Sequence, residues 1–397
     1  MKYVFGEYSL AVASQELLKG STPVQIEPKV FDVLLHLIGN REAVVSKDEL
    51  IEAVWEGRFI SDAAVSSAIH AARNAIGDDG TRQKAIKTLH GKGFRFVAPV
   101  VESGFSTGPT RLDKPRQDIY FCHSKDGTRI AYSIAGSGPP LVKTSHWLTH
   151  IELDWESPVW NHVHGHFAQT HQLIRFDARG NGLSEWKVDD FSLERQIEDL
   201  EAVVEAVGLE RFPVLGVSQA AAVSAAYAAK HPERVSRMAF LGGYTRGWRH
   251  SGTEKRVKVA EALVSLIENI WGSSGVVQQT FSNIFMPDAP PEYLKWFSEL
   301  QAQSSNARNA AELMRAIGEV DVRDVLNEVR APTLVLHARK DGVIHFEEGK
   351  SLAASIPGAK FVPLDSANHI LPETDPAWHR CANLISEFLA EGNRLPS

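Results

Sequence analysis

The chain has two cysteines, Cys122 and Cys381, in 397 residues. Two thiols cannot build a disulfide framework or a cysteine zinc site, so a reducing compartment and two core thiols are expected. No apolar run reaches the roughly 18 residues of a membrane helix. The opening residues, Met1-Lys2-Tyr3-Val4-Phe5-Gly6-Glu7, lack the apolar segment of a secretory signal, which points to a cytoplasmic protein with no membrane partner. Low-complexity tracts and internal repeats are missing too. At 43% hydrophobic and 23% charged, the composition is that of a soluble globular protein. The length suggests two or three domains.

Excess charge of one sign is small: 42 basic against 49 acidic side chains give a net formal value of −7, and that acidity belongs to the part after residue 100. Residues 1–100 balance at 12 basic and 12 acidic side chains, while residues 71–100 alone carry six basic against two acidic. A polyanion would meet that last stretch first.

Residues 101–117, rich in Ser, Gly, Thr and Pro, read as a linker between a first domain at 1–100 and a second at 118–397. Before the linker come short β-like runs at Tyr3–Phe5 and Tyr8–Val12. A helix opens at Pro28, and a second follows the capping-box pattern Ser46-Lys47-Asp48-Glu49. A third runs from Ser61-Asp62 to Ile76. Ile86–Leu89 and Phe94–Val97 alternate around the turn at 90–93 as a hairpin should. Three helices and a basic hairpin make an α+β winged helix. In the third helix, Val65, Ile69, Ala72 and Ile76 form the apolar stripe, leaving Ser66, Ser67, His70, Arg73 and Asn74 to face double-stranded DNA, with Lys92 and Arg95 on the wing. Residues 1–100 resemble the winged-helix effector domain of OmpR/PhoB-type regulators, as also found in CadC-like and ToxR-like proteins. The resemblance rests on Pro28-Lys29-Val30-Phe31, Asp48-Glu49-Leu50 before Trp55, and Thr88–Phe96. The third helix departs from it, with Ala63, Ala64, Ala68 and Ala71 where relatives carry more basic residues. A winged helix can also serve as a protein-interaction module.

After the linker, β-like runs at Leu141-Val142, Leu173–Phe176, Val214–Gly216, Met238–Leu241 and Thr333–His337 alternate with helices. That alternation predicts an α/β, doubly wound, mostly parallel sheet. Residues 244–330 read as an inserted helical cap. Gly216-Val217-Ser218-Gln219-Ala220 joins a strand to a small-residue helix, the setting a serine nucleophile needs. Asp341 and then His369 follow in the chain order acid, then base.

Residues 118–391 resemble the α/β-hydrolase superfamily through these motifs and through Asp177-Ala178-Arg179-Gly180-Asn181-Gly182-Leu183-Ser184. They are also similar to hydrolase domains fused to signalling modules. The resemblance implies a Ser218, Asp341, His369 triad and an oxyanion hole from the N–H groups of Gln219 and Trp147. Ala220 replaces the usual second elbow glycine, Ser145-His146 the usual pair of the oxyanion loop, and His345 a common proline.

Trp147, Tyr244, Trp248, Trp271 and Phe285 would suit an apolar ligand pocket above Ser218. His162-Val163-His164-Gly165-His166 has no carboxylate at ligand spacing, so it reads as a solvated helix; no metal or other cofactor is called for. The combined expectation is a homodimeric one-component transcription regulator. Its second domain would bind, and could hydrolyse, a small, largely apolar ester- or lactone-like ligand. Two alternatives are a serine esterase whose winged helix only localises or oligomerises it, and a scaffold that has lost both functions.

Overall fold

The structure is a computed structural model that describes residues 2–11, 16–20, 22–41, 43–55, 60, 62–89, 91–103, 115–251, 253–272 and 275–391. The chain divides into two compact units, Met1–Leu112 and Asp113–Ser397.

In the first unit, β1 (Lys2–Phe5), β2 (Tyr8–Ala11), β3 (Glu16–Lys19) and β4 (Thr22–Val24) form an antiparallel meander. Helices α1 (Pro28–Gly39), α2 (Lys47–Trp55) and α3 (Asp62–Ala75) follow, then the two-stranded wing β5 (Ile86–Leu89) and β6 (Gly93–Phe96). The capping box is reciprocal: Glu49 N–H donates to Ser46 Oγ and Ser46 N–H to Glu49 Oε2, at 3.2 and 2.7 Å. Val65, Ile69, Ala72 and Ile76 pack with Val33, Leu34, Leu37, Ile38 and Phe96 into one core, as the 3.6 period requires. Val12, Ser61 and His90 lie outside the described residues. The expected linker differs at both ends, since Val101–Ser103 is a strand, β7, paired with β1, and Gln117 opens a strand of the second unit.

In the second unit, β8 (Gln117–His123) and β9 (Arg129–Ala135) form a hairpin, then β10 (Pro140–Lys143) leads to α4 (Ile151–Glu156) and α5 (Asn161–Ala168). The chain continues through β11 (Gln172–Phe176), α6 (Leu193–Val207), β12 (Phe212–Val217), α7 (Gln219–Lys230) and β13 (Val235–Leu241). A helical segment follows: α8 (Trp248–Ser251), α9 (Glu254–Ile270), α10 (Val276–Phe285), α11 (Pro291–Ser304) and α12 (Ala307–Glu319). The chain then returns to the sheet through β14 (Thr333–Ala338), α13 (Phe346–Ser355), β15 (Lys360–Leu364) and α14 (Pro376–Ala390). The eight strands run in the order β15-β14-β13-β12-β10-β11-β9-β8, parallel from β15 to β11 and antiparallel through β9 and β8.

Because strand side chains alternate, each buried strand feeds two cores. Leu141, Leu173, Leu215, Ala239 and Leu336 face α5, α14 and the helical segment. Val142, Ile174, Val214, Phe240 and Val335 face α6, α7 and α13. The chain reverses direction across the sheet beside β10, between β11 and β12, and in such sheets the crevice at the carboxyl ends of the strands is where ligands bind.

His162–His166 lies on α5 and is half-buried rather than a freely solvated face. His164 is buried, His162 Nε2 lies 3.0 Å from the carbonyl of Leu371, and His166 Nε2 lies 2.9 Å from Ser386 Oγ. Both outer rings stand edge-on to Trp378, so the histidines dock α5 onto α14. Burial holds the imidazole of His162 down at about 4. Cys381 is buried and Cys122 half-buried; desolvation pushes their thiols up to about 12 and about 11.

Candidate functional site

Ser218 sits between β12 and α7 with φ +57° and ψ −124°, a conformation few side-chain-bearing residues adopt. The turn is tight enough that a Cβ on Gly216 would stand 3.0 Å from the amide nitrogen of Ala221. Ser218 lines a cavity of about 300 Å³. Gln219, the first residue of α7, and Trp147, beyond the end of β10, line it too. At the start of a helix the N–H of Gln219 has no intrahelical acceptor.

Asp341 and His369 come from loops after β14 and β15 and meet with His369 Nδ1 2.6 Å from Asp341 Oδ2. Asp341 Oδ1 accepts the N–H groups of Val343 and Ile344 at 2.8 and 2.9 Å. Burial opposes the charge on Asp341, but His369, the Ile344 N–H and His337 outweigh it and hold the carboxyl below its ordinary range. The far nitrogen of His369, Nε2, is buried with no hydrogen-bond partner, and no hydrogen bond joins it to Ser218 among the described residues. Two contacts fix this imidazole. The carbonyl of Phe285 accepts the backbone N–H of His369 at 2.8 Å, while the Phe285 ring lies edge-on to the imidazole. Gly242, at φ +64°, passes so close that a Cβ there would sit 2.8 Å from His369 Cε1.

Of the expected pocket residues, Trp147, Tyr244, Trp248 and Phe285 line the cavity. Trp271 does not; its indole N–H donates to the carbonyl of Ser305 at 3.0 Å, an intersegment tie that draws the ring into the packing of the helices. Sequence reasoning missed His337, buried behind Asp341 with Nε2 3.5 Å from Oδ2, and three charged residues of the cavity wall, Arg246, Arg256 and Glu348. The position of His337 in a strand gave no signal. Arg256 could have been found, because it shares one face of α9 with the lining residues Val259, Ala260 and Leu263.

The Asp177–Ser184 loop is fixed from within. Asp177 accepts the N–H groups of Ile151 and Leu183, both at 2.8 Å, and Arg179 is buried between Asp199 and Asp126 at 2.6 and 2.8 Å.

In the first unit, Ser66, Ser67, His70 and Asn74 are exposed and share one face of α3. His70 Nε2 and Asn74 Nδ2 lie 3.1 Å apart. Lys92 and Arg95 are exposed on the wing, and Arg95 pairs across it with Lys87, also exposed. Arg73, expected among the groove-facing residues, is buried instead. Its Nε and Nη2 both donate to the carbonyl of Ile86, and Nη2 also to Thr88 Oγ1, so it ties α3 to the wing. One step along a helix turns a side chain by about 100°, enough to carry it from the open face to the core.

Fold and site together define a winged-helix unit followed by a unit of α/β-hydrolase type. Residues 155–376, more than half of the chain, match the family described as alpha/beta hydrolase fold, and the chain belongs to that family. Residues 21–96 match the family described as transcriptional regulatory protein, C terminal, and form an OmpR/PhoB-type DNA-binding domain. The transcriptional regulator HilA of Salmonella typhimurium is 33% identical over 100 residues, covering 25% of this chain and 18% of HilA. The 2-hydroxymuconate semialdehyde hydrolase of Pseudomonas putida is 27% identical over 247 residues, covering 58% of this chain and 81% of that enzyme. Among solved structures, an esterase from Exiguobacterium antarcticum superposes with a TM-score of 0.60 at 21% identity, covering 68% of this chain and 98% of the esterase. Esterase RhEst1 from Rhodococcus sp. ECU1013 gives 0.57 at 24%, with the same coverage. Likenesses at these identities establish the fold. Among the described residues no helix is long and apolar enough to cross a membrane.

Proposed function

We propose that the protein is a cytoplasmic, homodimeric one-component transcription regulator whose second unit binds and hydrolyses a small, mainly apolar ester or lactone. The observation that carries this reading is the pairing of His369 with Asp341 beside a cavity lined by the strained Ser218, in a chain that also holds a DNA-binding domain. His369 Nε2 takes the proton from Ser218 Oγ as the oxygen attacks the acyl carbon. Asp341 holds the imidazole in the tautomer that presents Nε2 as acceptor. The N–H groups of Trp147 and Gln219 face the oxyanion that forms. His369 then protonates the leaving alkoxide, and a water activated by the same nitrogen releases the acid.

Turnover would make the signal self-limiting, since a ligand shifts an equilibrium only while its differential affinity for the two states is applied. The test compares a panel of short and aromatic esters on wild type and Ser218→Ala at equal melting temperature. Wild-type turnover that falls on the order of 10⁴-fold or more in the variant supports the reading. Equal rates in both would overturn the catalytic part. A DNA footprint that no bound ester alters would overturn the regulatory part and favour an esterase that the winged helix merely localises.

A further inference from the structure

The cavity wall carries a charge imbalance. Arg246 Nη2 stands 3.6 Å from Glu348 Oε1, outside hydrogen-bond distance, and Glu348 Oε2 is buried without a hydrogen-bond partner. Arg256 lies on α9, half-buried, where desolvation works against its charge and Glu348 supports it. Its hydrogen bond to the carbonyl of Val343 is stretched to 3.5 Å. Arg323, which also senses Glu348, is already forked onto both oxygens of Asp321. Two guanidinium groups of the wall therefore share one carboxylate. Tyr244 adds a hydroxyl that is buried, lines the same cavity and has no partner. A buried donor left unmade is costly unless something enters to accept from it.

We infer that the cavity receives an acyl compound bearing a second, anionic group, a carboxylate held by Arg256 and Arg246 across an apolar link from Ser218. A monoanion closes the charge count of two guanidinium groups against Glu348, whereas a dianionic phosphate would leave an excess negative charge beside that carboxylate. A planar carboxylate also fits the fork of an arginine. Trp248, Leu263, Phe281 and Phe285 supply the apolar wall between. The entrance is consistent with this: Val259 and Ile284 line the cavity while exposed at 54% and 38%, so it opens between α9 and α10, one turn of α9 from Arg256.

The inference rests on reading the cavity as a ligand site and does not require turnover. Its test uses full-length Ser218→Ala and the monomethyl esters of the straight-chain dicarboxylic acids from succinic to sebacic, each against its dimethyl ester, by calorimetry. At one or more chain lengths the monoester should bind about tenfold tighter than the diester, the scale of one charge-assisted hydrogen bond. Arg256→Gln should erase that preference, Arg256→Lys should retain part of it, and Glu348→Gln should enlarge it. No preference at any length, or a preference untouched by both Arg256→Gln and Glu348→Gln, would overturn the inference. Melting curves establish that each variant is folded. Loss of the hydrolase reading would appear separately, as wild type without turnover on the same monoesters.

Discussion

Arg73 and Asn74 are neighbours in the chain with opposite environments, one locked against the wing and the other on the open face of α3. Removing the Arg73 side chain leaves the Ile86 carbonyl and Thr88 hydroxyl short of a charged donor. Arg73→Ala should therefore lower the stability of the first unit by about 2–3 kcal/mol and weaken binding to all DNA sequences alike. Asn74→Ala and His70→Ala should leave the melting temperature unchanged and relax preference at one base, by about 1–3 kcal/mol in a competition assay. If Arg73→Ala melts like wild type, its tethering role is wrong. In the second unit, Gly242→Ala drives a methyl group into the His369 imidazole at a φ that disfavours any side chain. On the proposed mechanism, displacing His369 by a fraction of an ångström should cost kcat about 10²-fold, with a much smaller effect on KM.

At the scale of elements, the wing is held by a buried carboxylate. Asp78 accepts four backbone N–H groups, from Asp79, Lys84, Ala85 and Ile86, at 2.9 to 3.0 Å. Burial opposes its charge, but the four donors prevail and its carboxyl is held below the usual range. A carboxyl depressed in the folded state stabilises above its unfolded value and loses that contribution as pH falls through the folded one. Asp78→Asn should thus melt lower than wild type at pH 7, and the gap should close below about pH 4. A gap that is constant with pH would show that the charge is irrelevant. On the wing itself, Lys87 and Arg95 stand directly opposite each other, a repulsion that a phosphate would relieve. Arg95→Ala should weaken binding uniformly and reduce the slope of log K against log salt by about one.

For the whole molecule, a homodimer should protect two half-sites with centres about 10 base pairs, or a multiple of that, apart. A hydroxyl-radical footprint reads that spacing directly; a single isolated half-site would argue for a monomer.

Legibility in the sequence followed the range of the interactions. The apolar stripe of α3, the capping box, the Ser218 turn and the order of Asp341 and His369 are local patterns or short motifs, and each stands in the structure where its own segment put it. The hairpin of β8 and β9 was missed although Asp126-Gly127 marks its turn, because its first strand alternates at the sheet edge with few buried residues. Contacts across long separations were legible only where a motif pointed to them, as for Asp341 and His369. Arg73 finds Ile86, Trp271 finds Ser305, and the histidines of α5 find Trp378 only once the elements pack. So the sequence by itself determined the two units, their periodicities and the candidate groups at the site, since backbone propensity and side-chain period act over a few residues. Only tertiary packing decided which polar side chains became internal ties and which charges were left facing the cavity, because burial and partners are properties of surfaces brought together.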